Sequence, residues 1–184
     1  MKQGFVKEAS ATPRIRVADP VYNAQVICEQ AKEAAEHGAK IVVFPELCIT
    51  GYTCNDLFLQ ELLLEKAKEA LLTIAEETGQ LETLFLVGLP VDKDGRLYNV
   101  AAVLYRGRIL GMIPKKNIPM YAEFYEGRHF TPGEETVTEY RLGKQVIPFG
   151  SNLLFRCEEL PELILGCELC EDLWVAEPPS TSHA

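Results

Sequence analysis

Between Phe5 and Pro90 the sequence alternates short apolar runs with long amphipathic ones, and that order leaves few folds open. Phe5-Val6-Lys7-Glu8-Ala9-Ser10-Ala11 roughly alternates and predicts a first strand. Asp19-Pro20 reads as a helix start, since Asp can cap and Pro suits the first helical position. Ala24, Ile27, Cys28, Ala31, Ala34 and Ala35 then recur at helical spacing as one face of small residues, and Gly38 supplies the stop. Lys40-Ile41-Val42-Val43-Phe44 is a continuous apolar run, the pattern of a strand buried on both sides. Asp56 is placed to cap a second helix reaching Glu77, closed by Gly79, before another buried run at Leu84–Pro90.

Asp92-Lys93-Asp94-Gly95 carries turn chemistry. Tyr98–Tyr105 and Ile109–Ile113 then predict a hairpin across Arg106-Gly107-Arg108. Further strands are expected at Val146–Gly150 and Leu153–Cys157, and Leu163-Ile164-Leu165 leads into a final motif. Strand–helix–strand order followed by a hairpin implies an α/β fold, a mixed sheet with helices on it. A chain of 184 residues suits one domain with a sizeable core. A net charge of −9 argues against non-specific nucleic-acid or anionic-membrane binding, which want basic patches. No apolar run approaches the ~20 residues of a membrane span, and the first residues lack the apolar core of a signal peptide, so a cytoplasmic location is expected.

Three places could carry chemistry. Glu46 stands just beyond a buried strand, where α/β sheets often put functional groups, although a surface carboxylate is the plainer reading of the position alone. The segment from Pro114 to Phe130 is a long loop with Lys115, Lys116, Glu123, Phe124, Tyr125 and Glu126; such loops are often functional, yet its lysines could be solvated and its aromatics mere anchors. Cys170, in Gly166-Cys167-Glu168-Leu169-Cys170-Glu171-Asp172-Leu173-Trp174, sits where a strand should give way to a helix, whose N–H groups would lower its pKa. Cys167 and Cys170 also form a CxxC, so a zinc or redox pair is an alternative. It is weakened by the absence of a second CxxC and of any nearby His except His183.

Phe44-Pro45-Glu46-Leu47 with Thr50-Gly51-Tyr52, then Pro114-Lys115, then Glu168-Leu169-Cys170-Glu171-Asp172-Leu173-Trp174 together resemble the Glu-Lys-Cys signature of the nitrilase, or carbon–nitrogen hydrolase, superfamily. The run from Pro114 through Pro119, Tyr121, Glu123, Phe124, Tyr125, Glu126 and Arg128 to Phe130 is similar to one branch, the glutaminase domains of glutamine-dependent NAD synthetases. The resemblance implies half of an α-β-β-α sandwich with helices on one face of a mixed sheet. It implies Cys170 as nucleophile, Glu46 as general base and acid, and Lys115 beside the oxyanion. Tyr121, Phe124 and Glu171 match glutamine-holding positions, and Glu123 and Glu126 are candidates to support Lys115. Cys167 falls within the preceding strand as a packing residue, and no metal site is implied.

The resemblance further implies that residues 1–184 are a partial domain whose C-terminal part is missing. It implies a synthetase domain elsewhere that uses ATP and Mg, with no cofactor in this chain. Glutamine, that synthetase domain and further copies of the protein are the expected partners. A stand-alone amidase or carbamoylase, or an inactive interaction module, are the competing expectations.

Overall fold

The computed structural model describes residues 4–184. Strand β1 (Glu8–Ser10) leads to helix α1 (Pro20–Glu36) and strand β2 (Ile41–Val43). A 3-10 segment (Tyr52–Leu59) precedes helix α2 (Glu61–Glu77). Strands β3 (Leu84–Lys93), β4 (Arg96–Tyr105) and β5 (Arg108–Pro114) follow as a meander. After a long loop come β6 (Thr138–Leu142), β7 (Gln145–Phe149), β8 (Phe155–Arg156), β9 (Ile164–Leu165) and a five-residue helix α3 (Pro179–His183). One seven-stranded sheet runs in the order β1-β2-β3-β4-β5-β7-β6. β1, β2 and β3 are parallel, as helical crossovers require, and β3, β4 and β5 are antiparallel. Both meander turns are two-residue loops, Asp94-Gly95 and Arg106-Gly107, with positive φ throughout, the geometry that matches strand twist.

The alternation of side chains sorts the sheet into two faces. Phe85, Val87 and Leu89 of β3 and Val100, Ala102 and Leu104 of β4 pack with Ala24, Ile27 and Ala31 of α1 and Leu71 and Ile74 of α2. The opposite face carries Ala101, Val103 and Ile113, covered by Leu153, Phe155, Cys167 and Leu169. The two long helices, α1 and α2, therefore occupy one face. α1 starts as expected, with the Tyr22 N–H donating to Asp19 Oδ1 at 3.1 Å.

Several expectations are corrected. α2 begins at Glu61 and is not capped by Asp56, because Gln60 is extended (φ −89°, ψ 120°) and separates the 3-10 segment from the helix. Asp56 instead accepts from Arg128 and His129, tying the 3-10 segment to the long loop. β2 is not buried on both sides, since Val43 is 44% exposed on the face away from the helices. The expected strand at Leu153–Cys157 and the run at Leu163–Leu165 shrink to a separate two-stranded ribbon, β8 with β9, outside the main sheet. β6 was not anticipated; its buried Tyr140 and Leu142 are spaced by two, but charged and polar neighbours mask the pattern. Cys167 lies beyond β9 in irregular chain, although it packs against the sheet.

Candidate active site

The strands β2, β3 and β5 end on the same side of the sheet, where β4 begins, and Glu46, Lys115 and Asn99 gather there. The Glu46 loop is held against β3 by backbone bonds from Phe44 N to Leu86 O (3.0 Å) and from Ile49 N to Gly88 O (3.1 Å). A Cβ at Gly88 would stand 2.3 Å from Leu47 N and 2.8 Å from Pro45 O, so only glycine admits this approach. Asn23 of α1 donates to Ile49 O at 2.9 Å and fixes the loop from the helix side. Lys115 continues the hairpin ladder one residue past β5, its N–H donating to Asn99 O at 2.8 Å. Its own carbonyl accepts from Gly133 N at 2.7 Å, and a side chain at Gly133 would collide with Pro114 O at 2.6 Å.

Lys115 has no exposed surface. Its Nζ donates to Glu46 Oε1 at 2.8 Å and to Glu126 Oε1 at 2.7 Å. Glu126, in the short 3-10 turn Glu126–Arg128 of the long loop, is itself buried and accepts from Tyr52 OH at 2.8 Å. Burial opposes the charge on Lys115, but the bonds to Glu126 and Glu46 and their charges overcome it and raise its pKa. Burial also raises the Tyr52 hydroxyl, helped by Glu126, so Tyr52 is a fixed donor. Two carboxylates around one ammonium leave the cluster at net −1. Glu123 is exposed and takes no part in it.

Cys170 opens the 3-10 helix Cys170–Leu173 with φ 44°, and its side chain is exposed. Its pKa is raised rather than lowered. Burial raises it first and the Glu46 charge next; Lys115 and the Glu171 N–H pull the other way without prevailing. The expected helix effect is thus outweighed by burial first and by the carboxylates of the cluster next. The same couplings place Cys170 within electrostatic reach of Glu46, Lys115 and Glu126. Cys167 is pushed up to about 12 by burial, with Asp172 and Glu168 adding to it, as for a packing thiol. All six cysteines are free, and among the described residues no group of three or more His, Cys, Asp or Glu could hold a metal ion.

Tyr121 OH donates to Glu171 Oε2 at 2.7 Å, and Phe124 meets the Tyr121 ring edge-on at 5.7 Å between centroids. These three therefore form one group beside Cys170. Residues 8–181 match the carbon-nitrogen hydrolase family. The chain belongs to that family. It is 39% identical over 183 residues to the glutamine-dependent NAD(+) synthetase of Mycobacterium tuberculosis, covering 100% of this chain and 27% of that protein. A Thermotoga maritima protein of the same description is 33% identical over 160 residues, 87% of this chain and 24% of the relative. The crystal structure of a glutamine-dependent NAD(+) synthetase from Cytophaga hutchinsonii matches with a TM-score of 0.83 at 29% identity, over 90% of this chain and 28% of that one. The chain thus spans about a quarter of the length of these relatives.

Three residues of this carbon-nitrogen hydrolase chain join the site without having been given a role from the sequence. Tyr52 and Asp172 lie inside the quoted motifs, and Asn99 inside a predicted strand. Buried Asp172 accepts from Leu169 N at 3.2 Å, Asn117 N at 2.7 Å and Asn117 Nδ2 at 2.9 Å, which couples the cysteine turn to the chain just after Lys115. An acid two residues after the candidate nucleophile was its signal. Asn99 had one too, an amide side chain followed by the apolar run Val100–Leu104.

Proposed function

We propose that this chain hydrolyses the side-chain amide of glutamine with Glu46, Lys115 and Cys170, as part of a glutamine-dependent NAD synthetase. The observation that carries the reading is the buried Lys115 ammonium held between Glu46 and Glu126, whose charges act on an exposed cysteine. Cys170 rests as a thiol. Glu46 takes its proton as Sγ attacks the amide carbon, and Lys115 stabilises the oxyanion; such fixed charge is worth roughly 3 kcal/mol or more. Collapse breaks the C–N bond, Glu46 returns the proton to the nitrogen, and ammonia leaves a thioester. Glu46 then takes a proton from water as its oxygen attacks the thioester. Glutamate departs and the sulfur regains a proton. Tyr121, Phe124 and Glu171 hold the substrate, with the Glu171 carboxylate toward the α-amino group.

In the intact protein the ammonia would pass to a synthetase domain that amidates deamido-NAD with ATP and Mg. No nucleotide site is assigned to this chain, and the protein is read as a cytoplasmic homo-oligomer. The test compares glutamine-supported with ammonia-supported NAD formation by intact Cys170→Ala. The glutamine-supported rate should vanish and the ammonia-supported rate persist; retention of both would overturn the assignment. Absence of ammonia-supported synthesis in the unsubstituted protein, with an amidase activity intact, would favour a stand-alone hydrolase. A solved amidase from Nesterenkonia sp. at 24% identity and TM-score 0.59 shares the fold alone.

A further inference from the structure

Asn99 is fully buried in β4. Its Nδ2 donates to Glu46 Oε1 at 2.6 Å and lies 3.4 Å from Glu126 Oε2, while its backbone carbonyl accepts from Lys115 N at 2.8 Å. One residue therefore touches every charged member of the buried cluster. Its Oδ1 is buried with no partner among the described residues. An unpaired buried acceptor is costly, and rotating the amide would be worse, since Oδ1 would then face two carboxylates. An apolar side chain would fill this strand position without the orphaned atom. A buried polar group kept at a local cost is the mark of a functional position.

Glu46 Oε1 receives both the Asn99 amide and the Lys115 ammonium, whereas Oε2 carries no hydrogen bond among the described residues. Two carboxylates compete for one ammonium, and a second cation would neutralise the base. A neutral N–H donor holds Glu46 while leaving the cluster at net −1. We infer that Asn99 is a positioning residue that pins Oε1 of Glu46 and thereby reserves Oε2 for proton exchange with Cys170 and the leaving nitrogen. This rests on the assignment of Glu46 as general base. The groups facing Glu46 are Lys115 after β5, Glu126 from the long loop, Cys170 from its turn, and Tyr52 through Glu126.

The experiment measures kcat, KM and their pH dependence for glutamine hydrolysis by the intact protein carrying Asn99→Ala, Asn99→Ser or Asn99→Asp. Ammonia-supported NAD formation serves as the control for folding. Loss of a positioned donor should lower kcat for Asn99→Ala by about tenfold or more, with KM within about twofold. Removing an N–H donor from a carboxylate raises its pKa, so the acid limb of the profile should move to higher pH. Asn99→Asp should move it further in the same direction, because a third carboxyl joins the cluster. Asn99→Ser, which keeps one donor, should recover part of kcat. Folded variants with unaltered kcat and acid limb would overturn the inference. Failure of all three to fold would do so too, by assigning Asn99 to the core alone. If Cys170→Ala abolishes glutamine hydrolysis while the Asn99 variants behave normally, only the positioning role falls. If Cys170→Ala is fully active, the proposed function falls as well.

Discussion

At Cys170 a partly buried wall and three charges act on one sulfur. Burial and the Glu46 carboxylate raise the thiol pKa, Lys115 lowers it, and Glu126 raises it again. On the proposed mechanism this outcome calls for a base beside the sulfur, because at neutral pH Cys170 is a thiol, not a preformed thiolate. A group whose pKa is raised is deprotonated only above the ordinary thiol range. The pH midpoint for labelling Cys170 with iodoacetamide should therefore exceed that of a free cysteine, about 8.5. Glu46→Gln removes one of the raising charges. It should bring the midpoint down and speed labelling at pH 7, while glutamine hydrolysis falls by about a hundredfold or more through loss of the base. Mass spectrometry of the labelled peptide, set beside the hydrolysis rate, checks both directions at once. A labelling midpoint below pH 7 in the unsubstituted protein would contradict this electrostatic account.

The elements that bring these residues together do so through close backbone approaches. β3 has no side chain at Gly88, so the Pro45-Glu46-Leu47 turn can lie against it, with Leu47 itself at φ 53°. Gly88→Ala would push a methyl into backbone atoms on both sides of Glu46. We expect about 1–3 kcal/mol lower stability in urea unfolding, together with lost glutamine hydrolysis. Unchanged values of both would mean that the turn can shift freely. Helices, the meander and the strand leading to Glu46 were legible in the sequence because each is local: a cap, a period or a two-residue turn. The Asp56 error shows where locality ends. Its carboxylate had a plausible capping role in the chain, but Arg128 and His129, far along the sequence, reach it instead. Asn99 stood out as a polar side chain before an apolar run, but its role could not be read for the same reason, since its partners lie on two other segments.

For the whole molecule, the order of elements foretold a mixed sheet with helices on it, the resemblance put those helices on one face, and the family signature singled out Glu46, Lys115 and Cys170. The second face of the sheet was less legible, because a continuous apolar run reads as doubly buried whatever covers it. There the short β8–β9 ribbon and the cysteine turn cover only part of the sheet. Val43 at 44% and Ile164 at 45% stay exposed, and Trp174 after the cysteine turn is 74% exposed. Large apolar side chains left exposed on a partly covered face are expected where that face meets another surface. The 184-residue chain purified alone should therefore bind a solvatochromic dye such as Nile red. A neutral dye is needed because the chain carries −9, which would repel an anionic probe by charge alone. Val43→Lys combined with Ile164→Lys should cut the dye signal at least by about half. It should cost less than about 1 kcal/mol in stability, since both positions already face solvent. Equal dye binding by the substituted chain would place the apolar surface elsewhere. No binding by either would show that this face is already covered, through self-association detectable by sedimentation.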